Sequence, residues 1–115
     1  MTTTIYHNPR CTKSRETLQM LQGRDLDLNI VTYLDTPPDA DALSQILDLL
    51  GLEPRQLMRR HQTEYKALGL DDESLSRQAL IEAMIANPIL IERPIVLHNG
   101  KAAIGRPLRQ VEDIL

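Results

Sequence analysis

The spacing of apolar positions changes along the chain, and each change predicts a new kind of element. The segment TTTIY at 2–6 is rich in β-branched residues and predicts a strand. A helix is expected over about 12–22, with Gly23 as its stop. The apolar run LNIVTYL at 28–34 predicts a second strand that is central in a sheet and buried on both faces.

Helical spacing prevails over the next part of the chain, about 36–90. Thr36 is expected to cap a helix that carries DALSQILDLL and ends at Gly51. Further short helices are predicted in EPRQLMRR and in HQTEYKALGL. Ser76 is expected to cap another helix, which ends before Pro88.

Strand character returns near the C-terminus. ILIERPIVLHNGKAAIGRPL predicts strand, turn and strand, because Asn99-Gly100 is a strong signal for a tight hairpin. RQVEDIL predicts a final helix. The order β-α-β, helices, β-β-α is that of an α/β thioredoxin-like fold with a mixed sheet. It predicts one domain over 1–115 with a helical insertion at about 36–90.

Composition narrows the range of functions. The 115 residues contain three Tyr but no Trp or Phe and have a net charge of −3, so general nucleic-acid binding is not expected. Apolar clusters are too short to span a membrane, and the start lacks the pattern of a secretory signal. One cysteine fits a reducing compartment, which predicts a cytoplasmic protein. No metal site is expected, because His61 and His98 lack partners at ligand spacing.

The one cysteine, Cys11, stands in a cluster of positive charge although the chain is acidic. Arg10, Lys13 and Arg15 surround it at the predicted helix start, and no carboxylate precedes Glu16. Cations at this end of a helix oppose its dipole, and local misfits of this kind concentrate at functional sites. The pattern predicts a site that keeps the thiol ionised and receives an anion.

Other polar residues are candidates for the same site. Ser14 is three residues beyond Cys11 on one helix face, so its hydroxyl is expected to donate to the sulfur. His7 would favour the thiolate if it were protonated. Arginine binds oxyanions through a bidentate fork, and three arginines are candidate ligands. These are Arg59, Arg93 and Arg106.

Six motifs in this order resemble one known family over essentially the whole chain. They are IYHNPRCTKSR, YLDTPP, QLMRR, EYKALGL, NPILIERPIV and GRP. The sequence is similar to the arsenate reductases that depend on glutathione and glutaredoxin, within the thioredoxin-like superfamily. The resemblance implies a thioredoxin-like fold with a helical insertion and a cis proline at Pro94.

The resemblance also implies roles for the candidate residues. Cys11 is expected to be the nucleophile toward arsenate, and His7 and Ser14 to support its thiolate. The oxyanion ligands are expected to be Arg59, Arg93 and Arg106. Glutathione is the expected co-substrate and glutaredoxin the protein partner, because one cysteine leaves no resolving thiol in the chain. No bound cofactor is expected.

Two alternatives stay open at this point. Arg10 precedes Cys11 where the family often has a small residue, and Thr12-Lys13 stands where it often has Gly-Thr. The enzyme could therefore be a glutathione-dependent thiol-disulfide oxidoreductase with another substrate. A related branch consists of transcriptional regulators that contact RNA polymerase and sense oxidants. Its members often carry a Cys-x-x-Cys pair at this place. Ser14 at the second position of this pair disfavours that hypothesis.

Overall fold

The fold consists of one four-stranded sheet and six α-helices, seen in a computed structural model that describes residues 2–115. The strands are β1 (Thr2–His7), β2 (Asp27–Thr32), β3 (Ile95–His98) and β4 (Lys101–Ile104). The helices are α1 (Thr12–Gln22), α2 (Ala40–Leu50), α3 (Pro54–Leu57), α4 (Thr63–Ala67), α5 (Arg77–Ala86) and α6 (Arg109–Glu112). A 3₁₀ turn covers Pro88–Leu90. The predicted order of elements is confirmed.

The sheet is mixed, as expected of a thioredoxin-like fold, with the strand order β2-β1-β3-β4. β1 runs parallel to β2 and antiparallel to β3, and β3 runs antiparallel to β4. Aliphatic residues of the sheet, α1 and α6 form the core of this part. The buried members are Ile5, Leu21, Val96, Ala103 and Val111.

The prediction that β2 is a central strand is wrong. Among residues 2–115, β2 pairs with β1 alone and forms an edge of the sheet. Ile30 is 44% exposed, and the strand ends at Thr32 instead of residue 34. An apolar run permits burial but does not fix the order of strands, which is decided here when β3 returns to pair with the other side of β1.

The chain divides into two compact units. The first contains the chain up to Thr36 together with Arg93–Leu115, and the second contains Pro37–Glu92. The first unit holds the whole sheet with α1 and α6, and the second holds α2 to α5. The expectation of one domain over 1–115 stays a prediction.

Two helix ends in the second unit follow the predicted signals, and one start differs. Gly51 ends α2 in the left-handed conformation (φ 68°), and the Ser76 hydroxyl accepts from Ala79 N–H to cap α5. The cap of α2 is Asp39, whose carboxylate accepts from Ala42 N–H at 2.8 Å, and not Thr36. The Asp39 carboxylate, which directly precedes α2, thus takes the place of the predicted Thr36 cap.

The C-terminal hairpin is confirmed, and a cis Arg-Pro peptide bond lies next to each of its strands. Asn99 and Gly100 both have positive φ, which a two-residue hairpin turn requires. The Arg93-Pro94 bond just before β3 is cis, as the family resemblance implied. The Arg106-Pro107 bond just after β4 is also cis.

Candidate active site

Cys11 is the N-cap residue of α1. Its backbone is extended, its N–H donates to Asn8 O at 3.0 Å, and its carbonyl accepts the first helical hydrogen bond from Arg15 N–H at 2.9 Å. The turn after β1 therefore delivers the thiol to the start of the helix, where a capping oxygen would normally stand. Cys11 is 7% exposed and is the free cysteine of the chain.

Burial by itself would raise the pKa of the Cys11 thiol. The backbone N–H groups of Ser14 and Lys13 lower that pKa, since they lie at the positive end of α1. The guanidinium charges of Arg93 and Arg106 lower it further. These effects together outweigh burial, so the pKa of Cys11 lies below its ordinary value and the thiolate is favoured.

Arg93 and Arg106 come together beside the sulfur. Arg106 Nη2 lies 3.3 Å from Cys11 Sγ, and Arg106 Nε donates to the backbone carbonyl of Arg93 at 2.9 Å. The two residues adjoin the open end of the β3–β4 hairpin, because Arg93 lies just before β3 and Arg106 just after β4. The hairpin thus brings two cations to one thiol, and Arg106 reaches the sulfur across 95 positions of sequence.

Ser14 and His7 form a buried pair behind the thiol. His7 Nδ1 lies 2.6 Å from Ser14 Oγ, and Ser14 Oγ also accepts from Asn8 N–H at 3.0 Å. The expected donation from the hydroxyl to the sulfur is thus replaced by bonds to His7 and Asn8. Ser14 supports the thiolate through its backbone N–H group.

His7 is neutral near pH 7. Burial lowers its pKa below the ordinary value of 6.5, and the charge of Arg15 lowers it further. The imidazole therefore brings no positive charge to the thiolate at neutral pH. It holds the Ser14 hydroxyl, which holds the Asn8 backbone at the turn before Cys11.

Arg59, the third predicted ligand, belongs to the second unit. It follows the short helix α3, and its backbone N–H donates to Leu90 O at 2.7 Å. Its Nη1 donates to Ile89 O at 3.2 Å, so a carbonyl of the 3₁₀ turn holds the side chain. The preceding residue, Met58, pairs with Ile91 in an isolated β-bridge, which holds the backbone just before this arginine.

Sequence reasoning missed two buried residues that approach each other closely, Thr17 on α1 and Gly105 just before Arg106. Thr17 is fully buried on α1, and Gly105 is buried between β4 and Arg106. The one signal for Gly105 in the sequence is its place in the GRP motif.

The arrangement favours nucleophilic attack on an anion. A buried thiolate at a helix start, with two guanidinium groups beside it, can attack an oxyanion while the cations offset the charge that develops. Among residues 2–115 no group of three His, Cys, Asp or Glu side chains could hold a metal ion. Within the same residues no helix has the length and apolar character needed to cross a bilayer.

Comparison with known proteins agrees with this chemistry. The profile of the ArsC family matches residues 6–114. The chain belongs to the ArsC family. It is 51% identical over 112 residues to an arsenate reductase of Neisseria meningitidis, with 96% of each chain covered. It is 54% identical to YfgD, an uncharacterized protein of Escherichia coli K12, covering 96% of this chain and 94% of the relative.

A solved ArsC-type structure has the same fold. The arsenate reductase of Vibrio cholerae superposes with a TM-score of 0.94 at 47% identity, over 100% of this chain and 98% of that one. The predicted thioredoxin-like fold and the family resemblance are therefore confirmed.

Proposed function

We propose that this ArsC-family protein is an arsenate reductase that reduces arsenate to arsenite through a thiol–arsenate adduct on Cys11. The observation that carries the proposal is the thiol itself, which lies at the N-terminus of α1 with Arg106 Nη2 at 3.3 Å. The relative named arsenate reductase at 51% identity supports arsenate as the substrate.

In the first step the Cys11 thiolate attacks the arsenic of arsenate. An S–As bond forms, and one arsenate oxygen leaves as water after it takes up protons. Arg93 and Arg106 bind the remaining oxygens and offset their charge, and Arg59 is the proposed third ligand. The lowered pKa of Cys11 raises the share of thiolate that is available for this attack.

Reduction then requires electrons from outside the chain. Cys11 is the one cysteine, so no second protein thiol can form a disulfide with it. We propose that the thiol of glutathione attacks the arsenic of the adduct, forms a second S–As bond and displaces a further oxygen as water. A glutaredoxin thiol then attacks the glutathione sulfur, which breaks this S–As bond, leaves the electron pair on arsenic and joins glutathione to glutaredoxin through an S–S bond. The two electrons given up in forming this S–S bond reduce As(V) to As(III). Water then releases arsenite, and Cys11 regains its thiol.

The remaining predicted residues act behind the nucleophile. His7 and Ser14 hold the turn that presents Cys11, and the Ser14 N–H group faces the thiolate. No bound cofactor takes part, since glutathione is consumed as a co-substrate. The reaction needs a reducing compartment rich in glutathione, which supports a cytoplasmic location.

The test is arsenate-dependent NADPH oxidation with glutathione, glutaredoxin and glutathione reductase present. Turnover is expected, and Cys11→Ser should abolish it. Replacing glutathione and glutaredoxin by thioredoxin and its reductase should give at most background rates. Turnover that persists in Cys11→Ser would refute the proposal, and equal rates with thioredoxin would refute the proposed electron donor.

A second candidate is a glutathione-dependent thiol-disulfide oxidoreductase. Its support is the pair of exposed cations Arg10 and Lys13, which flank Cys11 in sequence and could bind the carboxylates of a glutathionylated substrate. Release of glutathione from a mixed disulfide, without arsenate turnover, would favour this candidate over arsenate reduction.

A further inference from the structure

The end of β4 approaches α1 at a glycine. Gly105 is buried, and a Cβ at this position would stand 2.6 Å from Thr17 Oγ1 and 2.7 Å from Pro94 Cγ. Both separations are below 3.0 Å, so any side chain here must displace both neighbours. The space between α1 and Pro94 is therefore filled to the limit that glycine allows.

Space, and not backbone conformation, is what requires glycine at this position. The glycines with positive φ among residues 2–115 are Gly51, Gly69 and Gly100, and Gly105 is not one of them. An alanine could therefore adopt the backbone of Gly105, but its methyl group would collide with Thr17 and Pro94. The Thr17 hydroxyl is itself held in place, because it donates to Lys13 O at 2.9 Å.

Gly105 is tied to both arginines beside the thiol. Its N–H donates to Pro94 O at 2.9 Å, and the next residue, Arg106, donates through Nε to Arg93 O at 2.9 Å. The same Arg106 side chain reaches Cys11 Sγ at 3.3 Å. Cys11 is the N-cap residue of the helix that carries Thr17, so the close approach of Gly105 to Thr17 joins the segment of Arg106 to the helix of the thiol.

We propose that Gly105 is a positioning residue of the active site, which acts on the Cys11 thiolate through Arg106. Thr17 and Pro94 form the walls against which Gly105 rests. A methyl group at position 105 pushes the start of the Arg106 segment away from α1, and the guanidinium group then leaves the sulfur. The inference rests on Cys11 as the nucleophile of the proposed function but not on the identity of the substrate.

The test measures the pH dependence of Cys11 alkylation by iodoacetamide, which reports one thiol because the chain has one cysteine. Gly105→Ala is expected to move the titration to higher pH and to slow alkylation at pH 7 by a factor of roughly three to ten. Arg106→Met should have a similar effect. In the Arg106→Met background, Gly105→Ala should add no further shift, because the group through which it acts is gone.

Gly23→Ala is the matched control, since its added Cβ meets its nearest atoms at 3.5 and 3.7 Å, an ordinary contact. It should titrate like the wild type. An unchanged titration in folded Gly105→Ala would overturn the proposal, and so would a shift of equal size with and without Arg106. If Gly105→Ala does not fold, the double variant Thr17→Ala with Gly105→Ala is used instead, because it lacks the collision with Thr17 Oγ1. It is compared with the single variant Thr17→Ala. A titration shift between these two supports the proposal, and identical titrations overturn it.

The alkylation needs no arsenate, so its outcome is separate from that of the turnover assay. The expected titrations together with absent arsenate turnover would contradict the proposed function and leave the role of Gly105 intact.

Discussion

Each residue around Cys11 contributes through a specific atom. Arg106 acts through its guanidinium group, Ser14 through its backbone N–H group, and His7 through the Ser14 hydroxyl. The distinction has consequences, because substitution of a side chain removes only the contacts that the side chain makes. Two predictions follow from this division between side-chain and backbone roles.

Ser14→Ala should lower stability but leave the thiol activated. The substitution removes the buried acceptor of Asn8 N–H and the partner of His7, which costs about 1–3 kcal/mol of unfolding free energy. The backbone N–H group of residue 14 remains, so the pKa of Cys11 should stay below its ordinary value. Urea unfolding and the pH profile of alkylation measure the two effects.

A return of the Cys11 titration to the range of an unperturbed thiol in Ser14→Ala would show that the hydroxyl supports the sulfur directly. Ser76→Ala is the control, because it removes a hydroxyl that caps α5 in the second unit. It should lose about 1 kcal/mol with no change in the Cys11 titration.

His7 should make the fold less stable in acid. Its pKa is lowered in the folded state, so the unfolded chain binds more protons below pH 6.5. The stability contributed by the neutral imidazole is present above pH 6.5. It is lost as pH falls through the lowered pKa that His7 has in the folded state. His7→Asn, which keeps a polar group near Ser14, should flatten this part of the profile. Urea midpoints measured from pH 7 downward test the prediction, and parallel profiles would contradict it.

At the scale of elements, short-range signals place most of the helix ends, and competition between neighbouring caps decides the rest. Gly23 and Gly51 end α1 and α2 where the pattern predicts. The start of α2 differs, because Asp39 outcompetes Thr36 as its cap. A carboxylate at the N-cap also interacts favourably with the helix dipole.

Asp39→Ala should cost about 1 kcal/mol of unfolding free energy, because Ala42 N–H loses its acceptor. Thr36→Ala is the matched control, since Thr36 is exposed in the segment before the helix. This variant should stay within about 0.5 kcal/mol of the wild type. Urea denaturation compares the two, and a larger loss in Thr36→Ala would restore Thr36 as the cap.

On the scale of the whole molecule, an acidic chain carries a basic active site. The net charge is −3, yet Arg10, Lys13 and Arg15 are exposed around the N-terminus of α1. Arg15 donates to Pro9 O and to the Thr12 hydroxyl, so its charge is held at the N-terminus of α1. A local positive field in a negative molecule directs small anions to one place on its surface.

The rate constant kcat/KM for arsenate should therefore fall as NaCl increases, because salt screens exposed charges. Lys13→Gln should lower kcat/KM at low salt and make the salt dependence shallower. Lys101→Gln removes the same charge at the far end of β4 from Arg106 and should keep the wild-type slope. A salt-independent wild-type rate, or equal slopes in all three proteins, would contradict electrostatic attraction by this cluster.

Much of the fold follows from local pattern. The strand TTTIY, the helix that ends at Gly23 and the hairpin at Asn99-Gly100 are each specified by residues close together in sequence. The same is true of the activated thiol, since Cys11 at the helix start is a local feature. The sequence alone therefore determined the order of elements, the α/β class and the place of the thiol at a helix start.

Tertiary structure decided what depends on residues far apart. The position of β2 at the sheet edge follows from the return of β3 to the other side of β1. The 3.3 Å contact of Arg106 with Cys11 joins groups 95 positions apart, and the fit of Gly105 against Thr17 exists only once β4 meets α1. Periodicity shows which face of an element is apolar, but it carries no information about which distant element covers that face. Packing supplies that information, so the sequence determined the thiol and the tertiary structure decided which charges surround it.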